Sequence, residues 1–435
     1  MDINHLYQIF LGSKGISTDT RKEIRYTIFF ALKGGNFNGN LFIKQAFEAG
    51  AEYVVADEIT DNDLKNIYGG RLIVVADSLK ALQQLSAEHR KHFKCPVLAI
   101  TGSNGKTTTK ELAAAVLSQK FKTYYTQGNL NNHIGIPQTL LAVKNDAEFV
   151  IIEMGANHQG EIASYCEYVQ PDYGMITNVG MAHVEGFGGF EGVVKGKTEL
   201  YRHIITHGGK IFVCADNRIL MDNSNQLKER ITYGQSPDAY CCGKLNTSKN
   251  EMLSLSFFEN GKEVSVQTQL VGSYNFENVL SAICLGKYFG VETTAICRAI
   301  ETYYPTNNRS QKIKLGTNTV ILDAYNANPS SMEEALKNFD RIAADNKMVI
   351  LGQMLELGEY SDAEHRRIAE AALKMNLRFR IFVGEGFSFL KGQPSALYFE
   401  TGANVKAWLE QQRPEHYHIL IKGSRKNELE KILNR

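Results

Sequence analysis

Apolar residues fall into short β-branched runs separated by stretches with helical spacing, and the two kinds of segment alternate almost from end to end. That alternation predicts α/β layers with largely parallel sheets. From Tyr26 to about His92 the runs YTIFFAL, EYVVAD and RLIVVAD enclose helical stretches near Leu41–Ala49 and Leu79–His92, a small α/β domain. A second block runs from PVLAIT through EFVIIEM, YGMITN and KIFVCAD. It then gains LSLSFF and EVSVQTQL around an ENGK turn, which predicts a β-hairpin, and helices at Asn275–Tyr288 and Thr293–Tyr303. Beyond the polar, turn-rich stretch Tyr303–Gln311, the runs TVILDAY, MVILGQM, RFRIFVG and HILIKGS alternate with helices. These predict a third, Rossmann-like domain.

Length agrees with this count: 435 residues at about 150 per domain give three. The expected fold is therefore three α/β domains at 1–93, 94–305 and 306–435, with a mononucleotide-binding P-loop in the central one. A net charge of +1, with 22% charged residues, supplies no field to draw the chain onto nucleic acid or an anionic membrane. No apolar run reaches spanning length, and the N-terminus lacks the basic and apolar regions of a signal peptide. Seven cysteines without CxxC spacing, mostly inside apolar runs, read as reduced thiols in a cytoplasmic chain.

The most chemical segment is Gly102-Ser103-Asn104-Gly105-Lys106-Thr107-Thr108, between a buried strand and a helix. Its glycines let backbone N–H groups turn toward phosphate oxygens, Lys106 adds a full charge, and Thr107 offers a hydroxyl to magnesium. Only two residues separate the glycines, against four in the usual P-loop pattern. Glu153 ends the strand EFVIIEM, where a carboxylate is placed to hold magnesium beside Thr107. His183 follows the strand YGMITN, and Lys197 lies in VKGKTE. Taken singly these three have structural readings: a rim carboxylate, a loop histidine and a solvated lysine. A phosphate loop by itself leaves motors, switches, kinases and ligases open.

The segments TGSNGKTTTKE, GNLNNHIGIP, EMGANHQGEI, ITNVGMAHVEGFG, GSYNFENVLSA, DAYNANPSSM, MLELGEYSDAEH and KGSR occur in one order over nearly the whole chain. In these the chain resembles the Mur ligase family, and particularly its members that add D-alanyl-D-alanine. The resemblance implies an ATP-dependent ligase joining D-alanyl-D-alanine to UDP-N-acetylmuramoyl-tripeptide through an acyl phosphate, acting as a monomer. It implies two magnesium ions, one held by Thr107 and Glu153, the other by His183 and a carbamate on Lys197. It places Asn275, Asn278, Arg309, Asp323, Tyr325 and Asn326 around ATP. Asn129, Asn131, Asn132, Asn328 and Lys422 would line the substrate path, and Thr20, Arg21, Asn36 and Asn38 the UDP site. Two departures stand out. Asn38-Gly39-Asn40 replaces the Asp-Gly-His of many members, and Gln353 stands where an acidic residue is common. The third-residue-adding ligases and folylpolyglutamate synthase share the loop and lysine, but NANPSSM, MLELGEY and the N-terminal segment favour the D-alanyl-D-alanine group.

Overall fold

Three large sheets and a two-stranded ribbon, Lys33–Gly34 with Phe37–Asn38, make up the β-structure of the computed structural model, which describes residues 2–35, 37–59, 61, 63–227, 229–246 and 251–433. The first is four-stranded and all parallel, in the order Ile16–Ser17, Ile28–Phe30, Tyr53–Ala56, Leu72–Val74. The loops after its first two strands carry Thr20, Arg21 and Asn38, so these lie at the carboxyl edge, where open α/β sheets bind ligands.

The central sheet is built around Val97–Thr101, buried at every position. Phe149–Glu153 pairs with it on one side and Tyr173–Ile176 on the other, both parallel. This reversal of strand order opens a crevice beyond the carboxyl end of Val97–Thr101, and the phosphate loop begins there. Both faces of the sheet are covered. Val97, Ala99, Val150 and Ile152 join one apolar cluster, while Leu98, Ile100, Phe149 and Ile151 join another. That two-sided burial is why these strands read as unbroken apolar runs.

Met252–Glu259 and Lys262–Val271 form the expected antiparallel hairpin, with Asn260 and Gly261 both at positive φ as a two-residue turn demands. Two further parallel strands, Arg230–Gly234 and Cys241–Leu245, go beyond the runs read from the sequence. The second ends on exposed Lys244 and Leu245, so it carries no sustained apolar run. The third sheet has six strands. Asn318–Asp323, His418–Lys422, Lys347–Gly352, Phe379–Val383 and Leu397–Phe399 are parallel in that order, and Gln311–Leu315 is an antiparallel edge. The seven cysteines are free, and no helix among the described residues is long and apolar enough to cross a membrane.

The first and central sheets are tied through the helix Ser78–Arg90, capped by the Asp77 side chain on Lys80 N at 2.8 Å. Arg90, at its end, donates to the carbonyls of Val169 and Gln170 at 2.8 Å each and pairs with Asp172 at 3.1 Å. Arg90→Ala strips these acceptors of a charged donor, a loss of about 3 kcal/mol. The expected result is a lower unfolding temperature with earlier proteolytic release of the N-terminal region; unchanged melting and proteolysis would show that the apolar contacts suffice.

Candidate functional site

The phosphate loop owes its shape to two glycines. Gly102 has φ +143° and Gly105 φ +78°; a Cβ would fall 2.0 Å from Thr177 Oγ1 at the first and 2.4 Å from Asn278 Oδ1 at the second. Asn278 in turn accepts from Thr109 Oγ1 at 3.1 Å and donates to Asn275 at 3.0 Å. The two asparagines expected near the nucleotide are thus packed directly behind the loop. Asn104 N donates to Asn178 Oδ1 at 2.9 Å, and Ser103 exchanges hydrogen bonds with Gly180, so a second loop braces the first. Lys106 Nζ folds onto Gly102 O at 2.7 Å and Ser103 O at 3.2 Å. Burial lowers its ammonium to about 8, with Glu153 opposing the shift and Arg309 adding to it.

Thr107 Oγ1 lies 3.1 Å from Glu153 Oε1, which also accepts from Asn131 Nδ2 at 2.7 Å. Glu153 is 1% exposed, and its Oε2 has no hydrogen-bond partner. A buried, unsatisfied carboxylate oxygen beside a hydroxyl fits a divalent cation. Among the described residues no three His, Cys, Asp or Glu side chains converge as a metal cage. Magnesium here would therefore rely on the hydroxyl, water and phosphate oxygens, its ordinary ligands in nucleotide sites.

His183 and Lys197, expected to share a second ion, have separate partners. Lys197 is 1% exposed, donates to Ala156 O at 3.0 Å and sits 4.9 Å from the centre of the Phe187 ring. Burial, with the Lys106 charge added, pushes it well below the ordinary lysine range. A neutral buried amine is the form that takes up carbon dioxide. His183 Nδ1 contacts Glu356 of the C-terminal domain, and this hydrogen bond holds Glu356 below the usual carboxylate range. Both residues have positive φ, +54° and +61°, a conformation uncommon outside glycine that clusters at working sites.

The domains meet elsewhere at the same place. Asn328 caps the helix Pro329–Asp340 and also donates from Nδ2 to Asn104 Oδ1 of the phosphate loop at 2.7 Å. Asp323 pairs with buried Lys422, and Arg309 lies 3.9 Å over the Tyr325 ring with Arg425 at 4.9 Å. One cleft of about 790 Å³ joins these parts. Ser103, Asn104, Gly105, Lys106, Thr108, Glu153 and His183 line it from the central domain, as do Asn129, Asn131, Asn132, Asn275 and Asn278. Arg309, Asp323, Tyr325, Asn326 and Lys422 face it from the linker and C-terminal domain.

Thr20, Arg21 and Asn38 do not line this cleft. Arg21 is held bidentately by Asp19 at 2.9 Å, and Asn38 accepts from Asn40 N at 3.0 Å. Asn36 lies outside the described residues. The departure at Asn40 has a structural explanation: the side chain is buried and bonds Asp57 Oδ1 at 2.8 Å and the Asp57 and Glu58 amides. Gln353 also serves the fold, accepting from Gly386 N at 3.0 Å. Glu356 lies in MLELGEYSDAEH and Lys110 in TGSNGKTTTKE, but neither is marked as a site residue by its type alone. Lys110 has a further signal, its i+3 spacing from Thr107, which puts both on one face of the helix Lys106–Leu117.

Residues 100–286 match the Mur ligase middle domain and residues 308–425 the Mur ligase glutamate ligase domain. The UDP-N-acetylmuramoyl-tripeptide–D-alanyl-D-alanine ligase of Escherichia coli is 32% identical over 431 residues, covering 96% of this chain and 92% of its own. A crystal structure of MurF from Acinetobacter baumannii superposes with a TM-score of 0.87 at 29% identity, over 99% of this chain and 97% of that one. MurF from Thermotoga maritima in complex with ADP shares the fold, with a TM-score of 0.85 at 23% identity and 97% of each chain covered. With both domains matched in order and relatives aligned nearly end to end, the chain belongs to the Mur ligase family.

Proposed function

We propose that this chain is a ligase that joins D-alanyl-D-alanine to the terminal carboxylate of UDP-N-acetylmuramoyl-tripeptide, using ATP and working as a cytoplasmic monomer. The observation that carries the reading is the single cleft shared by a glycine-shaped phosphate cradle, the asparagine cluster Asn129–Asn132 and the inner face of the C-terminal domain. Residues 1–93 hold the UDP end, 94–305 the phosphates of ATP and the reacting carboxylate, and 306–435 the nucleoside and the incoming dipeptide.

Joining a carboxylate to an amine in water is unfavourable, so the acid must first be activated. Its oxygen attacks the γ-phosphorus, the bond to the ADP oxygen breaks, and an acyl phosphate forms. The dipeptide amine then attacks the acyl carbon, and phosphate leaves with one of the original carboxylate oxygens. Phosphoryl transfer needs alignment and neutralised charge more than a protein nucleophile. The loop amides and Lys106 supply fixed positive charge. Thr107 with Glu153 would hold one magnesium ion and His183 with a carbamate on Lys197 a second, which would supply neutralising charge to the phosphates. The contacts Asn104–Asn328 and His183–Glu356 bring the C-terminal domain against the loop, which shields the acyl phosphate from water.

Purified protein is expected to release ADP over many turnovers only when ATP, magnesium, the UDP-muramoyl tripeptide and D-alanyl-D-alanine are all present. Oxygen label placed in the peptide carboxylate should appear in the released phosphate. ADP release with glutamate or a single amino acid instead, or unlabelled phosphate, would defeat the reading.

A further inference from the structure

Lys110 is a lysine with no exposed side-chain surface, and neither its Nζ nor the buried Glu153 Oε2 makes a hydrogen bond. They lie 3.8 Å apart, and Glu111 Oε1 lies 3.7 Å from the same ammonium. Leaving a buried charge without a close partner is costly, so an ammonium sealed between two carboxylates implies a requirement for that charge there. Glu111 also holds the interdomain linker. The Tyr303 hydroxyl donates to its Oε2 at 2.6 Å, and Asn307 Nδ2 donates to both oxygens at 3.1 Å.

We propose that Lys110 is a positioning residue that fixes the magnesium-site carboxylate of Glu153 and couples it, through Glu111, to the interdomain linker at Tyr303–Asn307. This rests on the nucleotide reading above. Thr107 and Asn131 fix Glu153 Oε1, and Lys110 is the only cation paired with Oε2 among the described residues. With Oε2 released, the carboxylate is free to turn from the position a cation needs. Charge repulsion between Lys110 and a bound divalent ion acts in the opposite sense, so experiment decides between two effects of opposite sign.

The test is calorimetric titration of ADP into the full chain, with and without magnesium chloride. In Lys110→Met, ADP affinity without magnesium should stay within about twofold of wild type. The gain in affinity that magnesium confers should fall about tenfold, the effect of removing a residue that supports a metal ligand. Lys110→Arg should restore most of that gain. Tyr303→Phe, which only removes a linker hydrogen bond, should cut it about threefold, and the double variant should be no worse than Lys110→Met. A magnesium gain in Lys110→Met that equals or exceeds wild type overturns the positioning role, and equal loss with and without magnesium reduces Lys110 to a packing residue. Effects of Lys110→Met and Tyr303→Phe that multiply independently overturn the linker coupling. A wild-type chain whose ADP binding ignores magnesium would instead sink the nucleotide reading itself.

Discussion

Lys106→Met should lower ADP release in the full ligation assay about a thousandfold, the scale of removing a charge that meets the transferring phosphoryl group. Methionine keeps the aliphatic stem and removes the ammonium, so the loop retains its packing. Its shape depends on Gly102, Gly105, Thr177 and Asn278 rather than on the lysine. Nζ is bonded to Gly102 O and Ser103 O, and it must exchange these carbonyls for phosphate oxygens. The same residue sets a pH dependence. Because burial lowers its ammonium to about 8, the free protein loses this charge as pH rises through that value. Phosphate binds the charged form, so ADP affinity should fall above pH 8, approaching about tenfold per unit. Lys106→Met should be weaker at all pH values and flat across that range. Retention of more than a tenth of wild-type turnover would remove Lys106 from the phosphoryl-transfer account.

Much of this was legible in the sequence where one segment carried its own signal. The strand Val97–Thr101 is buried on both faces and so reads as an apolar run, and the glycine spacing that follows it marks a tight turn before a helix. What stayed hidden was created by tertiary contact. Asn328 reads as a helix cap, which it is, yet its amide also reaches Asn104 in another domain. The His183–Glu356 pair joins residues 173 positions apart, and no local pattern links them. Lys110 illustrates the opposite failure. A lysine inside a helix is ordinarily assigned to solvent, and its burial is matched by the carboxylates of Glu153 and Glu111 and by the Tyr125 ring. Asn40 and Gln353 read as departures within a site, but their hydrogen bonds show them supporting backbone turns.

Lys197→Met should separate activity from stability. Ligation should fall by about two to three orders of magnitude, because the site loses the nitrogen on which an anionic metal ligand would be built. Added bicarbonate should not restore it. The fold should nevertheless become more stable. Lys197 is almost wholly buried with one hydrogen bond, to Ala156 O, and lies against the Phe187 ring, surroundings that suit a thioether. Its pKa in the fold is held well below that of the unfolded chain, so the unfolded state binds more protons at pH values between the two. Stability from this residue is therefore present above the unfolded value near 10.5 and is lost as pH falls toward the folded one. At pH 7 and low carbon dioxide the methionine variant should melt about 2–4 °C higher, the shift that roughly 1 kcal/mol produces in a domain of this size. That advantage should shrink as pH approaches 10. Carbon dioxide should raise the melting temperature of wild type and leave the variant unmoved, since only the lysine can be carbamylated. A variant that is inactive but melts lower at neutral pH would mean that Lys197 is held there as a structural cation. Wild-type-like ligation in Lys197→Met would remove the carbamate from the site.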